Sequence, residues 1–580
     1  MRTSRVLIAT GSIALALVAR SAAGWVSDGV RICLDNGQSV PAAATTGVGG
    51  AFVAFVNGDA VVCQYLTPSG STFPPDLRCA DTLAVVEGFS SLSSGSPRIT
   101  PTESGGAIVA FLQARNGSSI DVFAQAVDGL AARLWGPTGV PVCTASGDQR
   151  FAENTFGTIA SDGQGGCYIV WEDPRLPANG YDIFTQHLTS TGAVASGWPV
   201  NGLQLTNQLG DQRQASVVSD DAGGAIVAWQ GTLPNNDHDI FASRLLSNGT
   251  LATGWSANGN VVCSTPDDQS RPVLTKDGAG GAIVAWQDGR GVDVYAQHIR
   301  SDGTVDPQWP ANGAAVAPAD SSQLSPEITS DGNGGAFVVW ADNRTVATAP
   351  DIYAQHVTSS GVHDPNWLSD GLPICTEPVD QNSPLIVPDG TGGMITCWTD
   401  KRTAVNQNVD IYAQRVTAGG TMVWTLNGLA ICTDPSPQDT PAIAVDSYGG
   451  AVIAWRDTRS TSFGQIFAQR VGHDGDVGSL ASVPVSPGAR ISLRAWPNPA
   501  RVASKIRIAG GEETLAVYVS DLGGRTVRTL FASSSGRGDG EVAWDLRDET
   551  HRRVPPGMYW VRARSQTGQN LAQTTLIVLH

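Results

Sequence analysis

Acidic and basic side chains recur in a fixed pattern along this 580-residue chain. Five apolar segments end in Trp, and an Asp-x-Arg triplet begins two residues after each Trp. Such a pair could bind a polar ligand, or it could form an ion pair that holds a loop. The second interpretation is favoured because a single catalytic constellation would break the symmetry of the repeat. The ligand-binding candidates of this series are Asp173, Arg175, Asp288, Arg290, Asp342, Arg344, Asp400, Arg402, Asp457 and Arg459.

A Gln stands before the first predicted strand of most repeats. A ring of Gln side chains could line a polar pocket near a central channel. It could equally satisfy backbone groups where each strand begins, and this structural role is favoured. Gln149, Gln269 and Gln381 are kept as ligand-binding candidates. The whole series is Gln38, Gln149, Gln212, Gln269, Gln323, Gln381 and Gln438.

The sequence predicts no catalytic residue, metal site or cofactor. It contains no nucleophile elbow, Ser/His/Asp set or phosphate-binding loop. Its Cys and His spacings do not fit zinc, and its Asp-Gly turns lack the alternating acidic series of a calcium loop. One strand position carries His in three repeats and Arg in three others, so we expect exposed polar side chains there. These residues are His187, His298, His356, Arg244, Arg415 and Arg470.

Nine Cys residues in an exported chain suggest disulfide bonds, but their positions in the repeat argue against them. One repeat position holds Cys in most copies and Thr206 or Ala317 in others. A position that accepts Cys, Thr or Ala requires a small, half-buried side chain. We therefore expect most of the thiols to be free and packed.

The elements that position these residues form a long repeat. A Gly-Gly pair followed by an apolar strand recurs eight times, at intervals of 54 to 60 residues. Each copy contains four short predicted strands and no helical periodicity, which indicates an all-β propeller. The recurrent aromatic residue that ends the second strand is interpreted as core rather than as a sugar platform. The pairs begin at Gly49, Gly105, Gly165, Gly223, Gly280, Gly334, Gly392 and Gly449.

The segment GWVSDGVRIC (24–33) resembles the end of a repeat, although no repeat precedes it. The eighth copy lacks this final part. Pairing of the N-terminal segment with residues 465–471 would complete the last blade and close the ring. We therefore predict eight blades over residues 24–480, with seven as the alternative because the first copy is short and irregular.

Composition and the N-terminus indicate export. Arg2 and Arg5 precede an apolar run (6–18) and a small-residue cleavage site, which predicts a signal peptide over residues 1–23. A short uncleaved anchor is the alternative, and no later stretch is long and apolar enough to span a membrane. The formal net charge of −17 argues against nucleic acid as a partner. A secreted or surface-exposed protein is expected.

The last hundred residues differ from the repeat. After a predicted linker (481–489), alternating short strands over 490–580 predict a small β-sandwich. The ordered motifs PNP (497–499), VYVSDLGGRTVRT (517–529), WD (544–545) and PGMY (556–559) resemble the C-terminal sorting domain of type IX secretion substrates. They also resemble the Ig-like domain of flagellar hook-capping proteins. This resemblance implies an exported bacterial protein whose C-terminal domain engages a secretion machinery, and a plain Ig-like accessory module is the alternative.

Two functions remain open at this stage. The first is a non-catalytic binding or scaffold propeller whose ligand is a glycan or a protein, and the regularity of the repeat favours it. The second is a hydrolase or lyase that acts on extracellular polysaccharide through the central face. Departures from symmetry are the best places to look for a specific site, namely RFAENTF (150–156) and GTLPNNDHD (231–239).

Overall fold

The computed structural model of the chain describes residues 25–579 apart from short internal segments. The predicted signal peptide and linker lie outside the described residues, and so do parts of both asymmetric segments. The segments left out are 34, 36, 48–49, 59, 74–81, 86–96, 115–118, 130, 153–156, 233–236, 319–320, 345–348, 403–407, 461–462, 479–491, 497–499, 510–515, 522–525, 532–539 and 565–569.

The described part of the chain is all-β, as predicted, and contains no helix. Residues 30–471 form eight antiparallel sheets, of which seven have four strands and the first has five. In each of the eight sheets a Gly-rich turn joins an innermost strand to a long apolar second strand. Numbered by their Gly-Gly turns in chain order, the sheets have innermost strands Gln38–Thr45, Arg98–Pro101, Ile159–Ser161, Gln212–Ser219, Gln269–Lys276, Gln323–Ser330, Gln381–Pro388 and Gln438–Val445.

The remaining strands of each sheet follow in order from the centre outwards. The second strands are Ala51–Asn57, Ala107–Ala114, Cys167–Asp173, Ala225–Thr232, Ala282–Asp288, Ala336–Asp342, Met394–Asp400 and Ala451–Asp457. The third strands are Ala60–Leu66, Ile120–Val127, Asp182–Leu188, His238–Leu245, Asp293–Ile299, Asp351–Val357, Asp410–Val416 and Gln465–Val471. The outer strands are Thr72–Phe73 with Thr82–Val85, Val140–Cys143, Leu203–Gln204, Asn260–Cys263, Ala314–Ala315, Leu372–Cys375, Leu429–Cys432 and, in the eighth sheet, Val30–Arg31.

The sheets follow one another around a common centre, which is the arrangement of a β-propeller. Each innermost strand contacts the innermost strand of the next sheet, and that of the eighth contacts that of the first. The outer strand of the eighth sheet comes from the N-terminus, where Val30 pairs with Ala468 and Arg31 with Phe467. The sheets thus contact one another all the way around.

The core lies between neighbouring sheets. Second strands such as Ala282–Asp288 are buried on both faces, so their sequences are continuous apolar runs rather than alternating ones. The aromatic residue near the end of each second strand is fully buried, which confirms its interpretation as core. These residues are Phe55, Phe111, Trp171, Trp229, Trp286, Trp340, Trp398 and Trp455.

Two further sheets form the C-terminal part. One contains Ser492–Trp496, Ser504–Ala509 and Gly540–Trp544, and the other contains Ala516–Ser520, Thr526–Phe531, Gly557–Arg564 and Asn570–Val578. Side chains from both sheets share one apolar cluster, which includes Ile506, Trp544, Val561 and Leu576. Two antiparallel sheets around one core agree with the predicted sandwich. The PNP motif (497–499) lies outside the described residues.

The cysteines mostly behave as predicted. Seven are free and buried, namely Cys63, Cys143, Cys167, Cys263, Cys375, Cys397 and Cys432. The shared repeat position is fully buried rather than half-buried as expected. Cys33, at that same position, instead takes part in a disulfide. The described residues contain no helix that is long and apolar enough to cross a membrane.

Candidate functional site

The Asp-x-Arg pairs form buried clusters that the sequence pattern only partly revealed. In the fifth sheet, Asp288 Oδ2 accepts hydrogen bonds from Trp286 Nε1 at 2.7 Å and from Arg290 Nη2 at 2.7 Å. Asp288 Oδ1 accepts from Arg290 Nε and from the backbone amide of Arg290. The guanidinium lies 3.8 Å from the centre of the Tyr295 ring. The carboxylate is fully buried, so this pair organises the loop rather than presenting a free acid.

The same clusters connect neighbouring sheets. Arg402 Nη2 donates to Cys375 Sγ at 2.9 Å, and this thiol belongs to the outer strand of the preceding sheet. Equivalent contacts join Arg175 to Cys143 and Arg459 to Cys432. Burial raises the pKa of Cys375 to about 12, so the thiol is neutral at physiological pH. The shared Cys position therefore holds an acceptor for Arg, a link that the alignment of the repeats could have suggested.

All ten Asp and Arg candidates form an ion pair within their own sheet. Each Asp accepts from its own Arg and from the Trp two residues before it, and its side chain is fully buried. Each Arg also donates to a backbone carbonyl in the turn before the outer strand of its own sheet. The acceptors are Asn201, Asn312, Asp370, Asn427 and Asp28 for Arg175, Arg290, Arg344, Arg402 and Arg459.

The Gln candidates are fully buried at the entrance of their strands. Gln149 Nε2 donates to the carbonyl oxygens of Ala145 and Gly147 in the loop that leads to its own strand. Gln269 and Gln381 bond their incoming loops in the same way. This geometry matches the structural alternative for the series, because a side chain with no exposed surface cannot line an open pocket.

The shared His and Arg position was wrongly expected to be exposed. His187, His356, Arg415 and Arg470 are buried, and each pairs with the Asp of the turn before the second strand of its sheet. His298 does the same and contacts two carboxylates, with Nε2 at 2.9 Å from Asp277 and Nδ1 at 2.9 Å from Asp306. The Asp of each of these turns therefore pairs with a His or Arg side chain of the third strand of its own sheet. The exchange of His for Arg reflects this shared partner.

The fourth sheet departs from the pattern. Gly231 occupies the position of the Asp, and the indole nitrogen of Trp229 has no hydrogen-bond partner among the described residues. A Cβ at Gly231 would lie 2.8 Å from Gln212 Oε1 and 2.8 Å from the Phe241 ring. The closer packing of this sheet therefore excludes the usual carboxylate.

A charged cluster in which two Arg side chains share one carboxylate and one aromatic ring lies between the third and fourth sheets. Arg150 Nε donates to Glu172 Oε2 at 2.8 Å, and Arg213 Nη1 lies 3.7 Å from the same oxygen. Both guanidinium groups lie over the Tyr181 ring, at 3.7 Å and 4.5 Å from its centre. About one third of each Arg side chain is exposed. We call Arg150, Glu172, Tyr181 and Arg213 the rim cluster.

The rim cluster begins a chain of hydrogen bonds across the innermost strands. The backbone amide of Gln214 donates to Glu172 Oε1, and Gln214 Oε1 accepts from the amide of Arg271. Arg271 Nη1 then donates to Ser325 Oγ at 2.8 Å in the sixth sheet. Gln214, Arg271 and Ser325 all have positive φ and lie at β-bulges, which redirect side chains out of the regular ladder. One arc of the channel, from the third to the sixth sheet, is therefore polar.

The opposite arc borders an open pocket in the central channel. Its wall is aliphatic where the seventh, eighth and first sheets meet the channel. Two charged side chains, Glu327 of the sixth sheet and Arg98 of the second, stand at the ends of this wall. The aliphatic lining residues are Ala42, Ala43, Ile99, Leu385, Ile386, Val387, Ala442 and Ile443.

Burial shifts the pKa of both charged residues. It raises the pKa of Glu327 to about 8, against the opposing effect of the Arg271 guanidinium. It lowers the pKa of Arg98 to about 10, so Arg98 stays protonated at neutral pH. Arg98 also donates to the carbonyl oxygen of Ala152 and lies over the Phe151 ring. Sequence reasoning missed both residues, because their position carries Leu385 or Ala442 in other sheets.

Comparison with known proteins identifies no family. No protein-family model and no curated protein matches the chain. Among solved structures, PorZ, a surface component of the type-IX secretion system of Porphyromonas gingivalis, is 12% identical over 96% of this chain and 82% of that chain, with a TM-score of 0.27. An oligogalacturonate lyase of Vibrio parahaemolyticus is 12% identical over 67% of this chain and 92% of that chain (TM-score 0.37). An endo-arabinase of Bacteroides thetaiotaomicron is 11% identical over 50% and 99% (TM-score 0.25).

All three TM-scores lie below 0.5. These similarities therefore carry no argument about the activity, ligand or location of this chain. The conclusions below rest on its own residues.

Proposed function

We propose that this protein is an exported, non-catalytic binding propeller that recognises a glycan or a protein through the rim cluster. The observation that carries this proposal is the contrast between two kinds of charged group. The Asp of each repeated pair has no exposed side-chain surface and its Arg is 15–22% exposed, whereas Arg150 and Arg213 each keep about one third of their side chains exposed. Guanidinium groups supported by an aromatic ring donate well to the hydroxyl, carbonyl and carboxylate oxygens of such ligands.

The proposal includes a closed ring of eight blades. Its support is that the N-terminal segment makes the contacts of an outer strand, since the carbonyl of Asp28 accepts from Arg459 as that of Asn312 accepts from Arg290. Trp25 Nε1 donates to the Pro68 carbonyl of the first sheet, just as Trp424 Nε1 donates to the His473 carbonyl of the eighth. These are the contacts expected if the N-terminal segment (24–33) takes the place of the final part that the eighth copy of the repeat lacks.

The proposal also includes export and delivery by the C-terminal domain. It rests on the signal-like residues 1–23 and on the sorting-domain motifs, of which WD (544–545) and PGMY (556–559) lie within the described sandwich. The protein is thus expected at the bacterial surface or in the medium.

A hydrolase is the competing function, and Glu327 is the observation in its favour. A carboxyl group that remains protonated at neutral pH is suited to be a general acid. Glycoside hydrolysis also requires a second carboxyl group roughly 5–10 Å away. Among the residues that line the described pocket, Glu327 alone carries a carboxyl group. The binding function is therefore preferred.

A glycan array and a surface-protein binding screen with the full chain test the proposal. The double variant Arg150→Ser/Arg213→Ser should reduce binding at least tenfold, because it removes both guanidinium groups. Ser is chosen because Ser270 occupies this position in the fifth sheet and makes no equivalent cluster. Arg456→Gln is the matched control, since Arg456 pairs with Asp439 across the same two strands of the eighth sheet. Release of reducing sugar or unsaturated product from pooled polysaccharides would contradict the proposal.

A further inference from the structure

Aliphatic side chains separate two charged side chains around one side of the central channel. Going around the ring from the sixth sheet to the second, the pocket presents a carboxyl group, then three aliphatic sheets, and then a guanidinium. Glu327 and Arg98 both directly follow a Pro of the innermost strand, as do Leu385, Ala442 and Ala42. They therefore lie at one level of the channel, with the aliphatic side chains between them.

We propose that this pocket binds a small aliphatic zwitterion, with its ammonium group at Glu327, its carboxylate at Arg98 and its methylene chain against the aliphatic wall. An ω-amino acid is the simplest member of this class. The site is separate from the rim cluster, and the inference does not depend on what the rim cluster recognises.

Each part of the ligand corresponds to one feature of the pocket. Arg98 supplies a fixed, planar donor group, because its guanidinium is held by the Ala152 carbonyl and the Phe151 ring. Glu327 is the acceptor for the ammonium group. The wall buries methylene groups, each of which contributes about 0.8 kcal/mol on leaving water. The lining described for this pocket has no aromatic ring, so it lacks the stacking surface that sugars generally use.

The charges of the neighbouring groups agree with this orientation. Arg271 is the charged group that acts on Glu327 from the adjacent fifth sheet, and it favours the ionised carboxylate. An ammonium group at Glu327 would favour the same form. Because the free carboxyl has a pKa of about 8, only about one tenth of the molecules carry the carboxylate at pH 7. Ligand binding would then release a proton from most molecules.

Calorimetric titration of the full chain with 6-aminohexanoate tests the inference, with hexanoate and hexylamine as probes that each lack one charge. We expect the zwitterion to bind at least tenfold more tightly than either control. Its affinity should rise about tenfold from pH 7 to pH 9, because Glu327 ionises over this interval while the probe's ammonium and Arg98 stay charged. Equal binding of hexanoate, or an affinity that falls over this pH range, would overturn the inference, as would no binding at all.

Variants separate a binding role from a folding role. Glu327→Gln keeps the volume of the side chain, and it should reduce the affinity for 6-aminohexanoate at least tenfold and abolish the dependence on pH. Arg98→Gln removes the guanidinium. If that variant does not fold, two others provide the test: Arg98→Lys keeps the charge but loses the planar donor, and Glu327→Leu introduces the residue that the seventh sheet has at this position. Lys276→Gln, on the exposed end of an innermost strand, is the charge-matched control and should bind as the wild type does. Binding that survives Glu327→Gln unchanged would contradict the inference.

Discussion

At the scale of single residues, the same side chains that look catalytic in the sequence stabilise the fold. Asp288 has four hydrogen bonds from Trp286 and Arg290 and no exposed side-chain surface. A buried carboxylate in this environment depends on its partner, because an uncompensated charge in the interior is costly. Recurrence of the pair in five sheets therefore reflects the requirement of the loop, and not a ligand.

A double-mutant cycle tests this dependence. Arg290→Gln should reduce the free energy of unfolding by about 3 kcal/mol, because it leaves the buried Asp288 carboxylate without its cation. Adding Asp288→Asn should recover part of this loss, which makes the two effects strongly non-additive. Lys276→Gln breaks an exposed pair with Asp221 and should cost less than about 1 kcal/mol in the same denaturation experiment. Additive effects would argue against a coupled buried pair.

His298 gives the fold a dependence on pH. Burial lowers its pKa, but hydrogen bonds to Asp277 and Asp306 outweigh burial and raise it above 6.5. The pKa values of both carboxyls lie below the usual 3.8: burial opposes the shift, and hydrogen bonds from His298, from backbone amides and, at Asp306, from Arg300 outweigh it. The three charged groups therefore stabilise the fifth sheet fully between about pH 4 and pH 6.5. This stabilisation is lost as the pH rises through the pKa of folded His298, or falls through those of the carboxyls.

His298→Arg should remove the loss on the alkaline side. Arg244 shows that Arg fits this position, since its Nε donates to Asp220 Oδ2 at 2.9 Å. Between pH 6 and pH 9, wild-type stability should fall by about 1 kcal/mol relative to the variant, which is the difference between a charge-assisted and a neutral hydrogen bond. Thermal unfolding across this pH range measures the effect. A constant difference between the two proteins would show that His298 does not change its charge there.

At the scale of elements, the turn before the outer strand is in contact with the buried Trp in the six sheets that have one. Gly259 has a φ of +86°, and a Cβ there would lie 2.5 Å from the Trp229 ring. Gly29, in the N-terminal segment, has a φ of +85°, and a Cβ there would lie 2.5 Å from the Trp455 ring. The two glycines therefore have the same environment, although one precedes the repeats and the other lies within them.

Substitution of Gly29 tests whether the N-terminal segment completes the eighth sheet. Gly29→Ala should destabilise the protein as much as Gly259→Ala does, by about 2–4 kcal/mol, since both force a side chain into a left-handed backbone and against an indole. Gly37→Ala is the control for backbone strain alone, because its φ is +83° and no atom lies within 4 Å of its Cβ. If Gly29→Ala costs no more than Gly37→Ala, the segment does not pack on the eighth sheet in solution.

At the scale of the whole molecule, most of the fold could be predicted from the periodicity of the sequence. The order of the four strands, the buried aromatic residues and the structural use of the Asp-x-Arg pairs all follow from features that recur. Some contacts were harder to foresee, since no pattern within a single repeat shows that Cys375 accepts from Arg402 of the next sheet or that His187 faces Asp162 within its own sheet. Of the rim cluster, the sequence singled out only the segment that begins with Arg150, and the channel pocket escaped prediction. Each consists of single substitutions at repeat positions, and only the closed arrangement of sheets brings them together.

The final prediction concerns the independence of the two parts of the chain. The propeller sheets end at residue 471, the C-terminal sandwich begins at residue 492 and has its own core cluster, and the predicted linker (481–489) lies between them. Limited proteolysis should therefore cut first between these units and release two resistant fragments, because linkers between separate cores are the preferred sites of cleavage. Calorimetry of the intact chain should show two transitions, and Gly29→Ala should lower only that of the propeller. Ile506→Ala should lower only the other, whereas a single transition shifted by both variants would show that the units unfold together.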